Sequence, residues 1–449
     1  MNALLASAPL LLRRRGALAD VLPVIAFTAA TTLTATVLGG TAAFVGRLPA
    51  SGLTISSGEE SLIPFLVTCA LTASVLLIPS AIGLGGSAAR LSLARREKDL
   101  ATIRLVGGTG GQVGAVAVLD VAAQALLGAA IGAVLHLAVA PPLTGLDFGI
   151  SPFTVGELLL PWWAYPLLVL AMVLLAAGSA AVSLTGVVLS PLGVARDSRV
   201  VRMSVVRVVV WVVLILGLFG FMQVGGMLLG GLADGMVMIA VMVAFVGAIV
   251  AGVNIVGPFV VWVTALLVAR LAPTPSLLVG ARRLAADPRA GWRAVSGITF
   301  ALVIAGFLTV LSLMTRDSSP QDVMMATALS TGGLLTLGIA AVLAAVSTGV
   351  TQTARVIDQA PVLRSQHIAG AEVGQLHRAR IAEISLPVLL SSILATLTAL
   401  LVVVAVLGAP NDPLVAAQYL LSVLASYALV VAAVLVASPL VRRYALRGA

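Results

Sequence analysis

Charge is what this sequence has least of. Of its 449 residues, 10% are Asp, Glu, Lys or Arg, where a soluble domain carries about 25%. Lysine is reduced to Lys98, cysteine to Cys69, and histidine to His136, His367 and His377. Each scarcity excludes a chemistry. No Gly-x-x-x-x-Gly-Lys precedes a Ser or Thr, so no P-loop cradles ATP phosphates and the chain is not its own ATPase. A lone cysteine within an apolar run supports neither a disulfide nor a cysteine-rich zinc site. The histidines are scattered, without the His-Glu-x-x-His spacing of a catalytic metal site, and packing or surface polarity accounts for each. Ser87 follows Gly85-Gly86 but has no partner in sequence to act as its base, so close helix packing explains these small residues better than serine chemistry does. No catalytic, cofactor-binding or metal site is expected.

What remains is apolar. Hydrophobic residues make up 60% of the chain and its mean hydropathy is +1.15. A membrane span needs roughly 20 such residues, and ten runs qualify, near 21–45, 62–88, 112–140, 161–190, 205–223, 236–269, 294–315, 324–351, 382–407 and 414–440. The first follows Arg13-Arg14-Arg15 yet is longer than the ~7–15 residues of a signal-peptide core, so it reads as a retained helix. With the N-terminus inside, 24 of the 26 basic residues fall on the cytoplasmic face and only Arg47 and Arg316 lie outside, as the positive-inside rule requires. Splitting the sixth run at Gly257-Pro258 would move the five arginines from Arg270 to Arg293 outside, so one kinked, overlong helix is expected there. The net charge of +9 therefore means orientation and contact with anionic membrane lipid rather than nucleic acid.

The run Arg95-Arg96-Glu97-Lys98-Asp99-Leu100-Ala101-Thr102-Ile103-Arg104-Leu105-Val106-Gly107-Gly108 is a charged, helical island between two apolar runs. At an offset of 263 residues it has an echo: Leu105-Val106-Gly107, Gly111-Gln112 and Asp120 fall on Ile368-Ala369-Gly370, Gly374-Gln375 and Glu383, and Leu100 falls on Leu363. Both copies face the cytoplasm between two spans before and two after. The expected fold is an all-α polytopic membrane protein of about ten transmembrane helices, with both termini cytoplasmic. Two parallel four-helix units, 1–200 and 273–449, are joined by a two-helix connector, 201–272. A parallel repeat argues against the inverted five-plus-five plan of many ion-coupled carriers.

The stretch from Arg96 to Gly108 resembles the signature of FtsX-like permeases, the membrane subunits of MacB-type ABC transporters, whose loop reads broadly Arg-x-Glu and then an apolar helix ending in Gly-Ala. The ten-span plan is similar to the BceB subgroup, which holds both permease halves in one chain. The second loop departs from the pattern: Asp358-Gln359-Ala360-Pro361-Val362-Leu363-Arg364 lacks Arg-x-Glu and inserts a proline. The large extracellular domain of such relatives is missing too, because the outer loops near 46–61 and 316–323 are too short to fold independently.

The resemblance implies a coupling helix docked on a separate ABC ATPase, two ATPase subunits per chain, with ATP and Mg held by the partner and no cofactor in this chain. Arg95, Arg96 and Glu97 would pair with charges on the ATPase, although a solvated loop helix has the same composition. Leu100 and Leu105 would be its apolar anchors. Gly107, Gly108 and Gly370 suit a helix stop, and Leu363 and Arg364 are the second loop's counterparts. Asp120 and Glu383 are acids near the inner interface, where a shared structural task is favoured over a proton relay. The expected function is the permease subunit of an exporter or extractor of lipids, lipopeptides or membrane-active antimicrobials in a bacterial plasma membrane. An ion-coupled carrier with a site near Asn254, and a regulatory membrane partner that transports nothing, are the alternatives.

Overall fold

A computed structural model of the chain describes residues 17–48, 59–105, 109–188, 256–286 and 320–358, parts of 288–292 and 365–393, and residues 209, 213 and 428. Among the described residues every regular element is helical: α1 (Ala17–Gly46), α2 (Glu59–Leu105), α3 (Gly110–Leu143), the single turn α4 (Val155–Leu158) and α5 (Ala164–Val188). After these come α6 (Val256–Leu271), α7 (Pro275–Ala286), α8 (Pro320–Asp358) and α9 (Ile381–Leu390). Five of them are long and apolar enough to cross a membrane, over Val21–Gly46, Leu62–Ala89, Gly110–Leu143, Ala164–Val182 and Val323–Val350. These are the first, second, third, fourth and eighth runs expected from hydropathy. The seventh run, nearly all of the fifth and tenth, the first part of the sixth and the later part of the ninth lie outside the described residues.

Lipid tails are as apolar as leucine, so apolar burial does not drive these helices together and close contact must. Gly128 and Gly132 supply it. A Cβ at Gly128 would stand 2.6 Å from the Phe27 Cβ and 2.7 Å from the Val24 carbonyl oxygen; at Gly132 it would stand 2.6 Å from the Thr28 oxygen and 2.8 Å from the Thr31 Cβ. The Thr32 hydroxyl bridges the seam, 2.9 Å from the Thr28 carbonyl and 3.0 Å from that of Gly132. One turn further, the Thr36 hydroxyl is 3.2 Å from His136 Nδ1. The pairs 28/132, 32/132 and 36/136 advance together along both chains, so α1 and α3 run parallel. Around this seam Phe27, Ala30, Val121, Ala125, Met172 and Ala176 form a buried cluster. A 2.6 Å hydroxyl contact between Thr41 and Ser74 ties α1 to α2, and Ser179 donates to the Gly86 carbonyl to tie α5 to α2.

Residues 144–163 close the far end of these helices as a small cap. Phe44, Phe148 and Phe153 stack edge to face, with centroids 5.0–5.9 Å apart. Arg47, at the end of α1, holds the Glu157 carboxylate with two bonds of 2.8 and 3.0 Å. It also donates to the Ser151 and Pro152 carbonyls, and its guanidinium lies 4.0 Å over the Phe153 ring. One of the two arginines that sequence placed outside is thus fully engaged in fastening the cap. Trp162 and Trp163, exposed where the cap enters α5, suit the headgroup layer of the membrane.

The Arg47 hydrogen bonds come first among the causes that hold the Glu157 carboxyl down at about 2, followed by the Thr154 backbone N–H. A carboxylate whose folded value lies below its ordinary value stabilises the fold above that ordinary value and loses this contribution as pH falls through the folded one. The cap is therefore expected to hold at neutral pH and loosen between about pH 4.5 and about pH 2. Glu157→Gln should flatten that dependence and cost about 1 kcal/mol at neutral pH, because the pair is partly exposed. Thermal melts of wild type and variant across this range check it, and parallel curves count against the latch.

The cap also reaches α8. Gly149 sits at φ +67° with the Met324 carbonyl packed where a Cβ would stand, a backbone conformation and a space that only glycine satisfies. Deeper in, Val37 and Leu77 share a buried cluster with Leu337, Ala340 and Ala344 of α8. The same cluster takes in Val261, Leu284, Trp292 and Val388, so α6, α7 and α9 belong to it. The Trp292 indole fills the space beside Gly257, which gives that glycine a packing role. Gly280 of α7 lies against the stretch leading into α9, where a Cβ would be 2.6 Å from the Ala379 carbonyl and 3.0 Å from the Glu383 nitrogen. This spacing of roughly 100 residues matches that of the α1/α3 seam.

Candidate functional site

The charged island occupies the end of α2. The apolar part of this helix ends at Ala89, yet the backbone stays helical to Leu105, a further ~24 Å at ~1.5 Å per residue. The reason is local: residues 87–106 contain neither glycine nor proline, so nothing stops the helix until Gly107-Gly108. Arg95, Arg96, Glu97, Leu100 and Leu105 therefore share one unbroken helix with a membrane span. Their side-chain positions lie outside the described residues, as do Gly107 and Gly108.

The return into the membrane is tightly built. Thr109 caps α3 in a reciprocal box: its backbone N–H donates to Gln112 Oε1 at 3.1 Å, and the Gln112 N–H donates to the Thr109 hydroxyl at 3.4 Å. Two of the otherwise orphaned amides of a helix start are satisfied in this way. At the offset of 263, the Glu372 N–H donates to Gln375 Oε1 at 3.4 Å and the Gln375 N–H to the Glu372 carbonyl at 3.0 Å. Gly370 has φ +101° with open space around it, so its conformation rather than crowding favours glycine. Leu363 and Arg364 lie outside the described residues.

The two acids lie 11 residues beyond Thr109 and Glu372, a distance of about three turns where the chain is helical. Asp120 accepts a 2.9 Å bond from Gln124 Nε2, one turn further into α3, and Gln124 is buried. Glu383 is buried beside α7. Both are thus engaged in packing at the root of a loop. Ser87 bonds back to the Leu84 carbonyl at 2.8 Å, and Cys69 is half-buried in α2. Among the described residues no group of His, Cys, Asp and Glu could hold a metal ion.

Sequence reasoning missed three features. The unbroken α2 was readable from the glycine- and proline-free stretch at its end. The Thr109 and Thr154 caps each show Thr-x-x-Gln or Thr-x-x-Glu, a helix-start pattern. The Arg47–Glu157 latch, with partners 110 residues apart, left no local signal.

No curated protein and no solved structure matches the chain. Residues 71–188, about a quarter of the chain, match the family model of the FtsX-like permease C-terminal domain. The matched stretch runs from within α2 through the charged helix, the capped return, α3, the cap and α5, and over these residues the chain is similar to FtsX-like permeases.

Proposed function

We propose that this chain is the permease subunit of an ABC transporter, coupling ATP hydrolysis by a separate subunit to the export or membrane extraction of a hydrophobic or amphipathic substrate. The family supports the class, because FtsX-like permeases are membrane subunits rather than enzymes. The observation that carries the coupling is the continuity of α2. The helix holds Pro64 and Pro79 in its apolar part, but residues 87–105 contain neither glycine nor proline, so its charged end is a stiff rod continuous with the span. Displacement of its charged end by a nucleotide-dependent partner moves the membrane part with it, and that part packs against α1, α3, α5 and α8.

The partner holds the ATP and Mg; this chain supplies Arg95, Arg96, Glu97, Leu100 and Leu105 as one docking surface. Leu363, Arg364 and Gly370 belong to the second. The matching helix caps at 109–112 and 372–375 support two docking loops per chain. The outer face bears a small cap in place of a large receptor domain, so the substrate is met within the membrane, between the units, where α8 contacts α1 and α2.

Two loops per chain predict one permease chain bound to two ATPase subunits. Native mass spectrometry of the detergent-purified complex should give that mass. A complex needing two permease chains for two ATPases would overturn the single-chain arrangement.

A further inference from the structure

We infer that the outward face of α7 is a seat for anionic phospholipid headgroups of the inner leaflet. This rests on the proposed reading only for orientation, which puts the Arg270–Arg293 segment on the cytoplasmic side.

α7 follows an apolar helix after a turn of residues 272–274. Such a short connection keeps it close to the end of α6, where the sixth apolar run gives way to the arginine-bearing segment. Its two faces are distinct. Gly280, Ala281 and Leu284 are buried, with Gly280 against Ala379 and Glu383. The opposite face, set by helical periodicity, carries Leu278, Val279 and Arg282, and Arg270 and Leu271 end α6 just before the turn.

All five side chains are open. Leu271 is 80% exposed, Leu278 39% and Val279 40%, and Arg270 and Arg282 are exposed as well. Neither arginine makes an ion pair among the described residues. Three exposed apolar side chains together with two exposed guanidinium groups suit neither plain water nor the hydrocarbon core. They suit the boundary between them, where apolar groups meet acyl chains and each guanidinium clamps a phosphate with paired hydrogen bonds. The complementary charge on the inner leaflet belongs to anionic lipid.

The other side of α7 leads to the second loop. Arg283 Nη2 donates to Gln366 Oε1 at 3.2 Å, and Gly280 lies against the residues that follow that loop. One short helix thus joins a lipid-facing surface to the segment around Gly370.

The test uses the single cysteine. Cys69→Ser frees the chain of thiols, Val279→Cys then carries an environment-sensitive fluorophore, and the full chain is placed in nanodiscs of phosphatidylcholine alone or mixed with phosphatidylglycerol. Spin-labelled headgroups should quench the probe more strongly when phosphatidylglycerol is present, and high salt should reverse the difference. Arg270→Gln and Arg282→Gln should each weaken the anionic-lipid preference about fivefold, the value of one arginine near a charged surface. A probe equally open to aqueous iodide in both lipids overturns the proposal, as does equal quenching in both lipids that ignores salt and arginine loss. The salt series on the arginine-intact protein decides the matter if a variant folds poorly. Because no ATPase enters the experiment, its failure leaves the coupling reading untouched, and failure of ATPase binding leaves this one untouched.

Discussion

Under the proposed function, replacing Glu97 with Arg and Leu100 with Asp in one chain is expected to detach it from the partner ATPase while leaving the membrane protein folded. Interface energy concentrates in a few buried anchors worth at least ~2 kcal/mol each, so the loss of Leu100 alone should weaken the complex about thirtyfold or more. Charge reversal at Glu97 adds repulsion where attraction guided docking. The purified chain by itself should hydrolyse no ATP, and activity should appear only with the partner subunit. Titration of ATPase into detergent-solubilised permease gives the affinity, and the thermal melt of the variant reports its fold. Wild-type affinity in a variant that melts normally would remove the docking assignment from the end of α2. It would leave the membrane packing as described, because the substitutions lie beyond the apolar section that ends at Ala89.

The largest effect on the fold itself is expected at Gly132. A Cβ there would meet the Thr28 carbonyl at 2.6 Å and the Thr31 Cβ at 2.8 Å, and both neighbours belong to the backbone or the root of a side chain in α1. Neither can swing aside, so Gly132→Leu must push α1 off α3 and break the Thr32 bridge. Overpacking of a tight core costs typically ~1–3 kcal/mol, and the lost interhelical bond adds about 0.6 kcal/mol, the mean found for such bonds in membranes. A loss of about 3 kcal/mol is therefore expected, visible as a lower melting temperature or as proteolysis of the solubilised protein. Gly114→Ala, on the same helix with nothing within 4 Å of its added Cβ, is the control and should be close to neutral. Equal melting of the two variants would show that the α1/α3 seam is not a tight contact.

These two outcomes concern different kinds of information. The charged end of α2 was legible in the sequence because it is a local contrast: Arg95 to Arg104 interrupts two apolar runs, and a glycine pair follows. Its helical state was equally local, since stiffness between Gly86 and Gly107 needs only the absence of breakers. Gly128 and Gly132 were recognisable as a small-residue pair, but not which helix they would meet. That depended on α1 presenting Val24, Phe27, Thr28 and Thr31 at matching heights, about 100 residues earlier.

The cap shows the same division. Sequence placed Arg47 outside the membrane and counted the loops near 46–61 and 316–323 as too short to fold. The segment 144–163 escaped notice, because its order comes from Phe44, Arg47 and Met324, which are remote in the chain. By itself the sequence determined a multi-pass helical membrane protein with a stretch similar to FtsX-like permeases at 71–188, since hydrophobic run length, breaker placement and a contiguous motif are all one-dimensional properties. Only the tertiary structure decided that α1 runs beside α3, that Arg47 fastens Glu157, and that α8 packs under the cap at Gly149. Those contacts depend on distances between backbones brought together from far apart in the chain, and no window of neighbouring residues records such a distance.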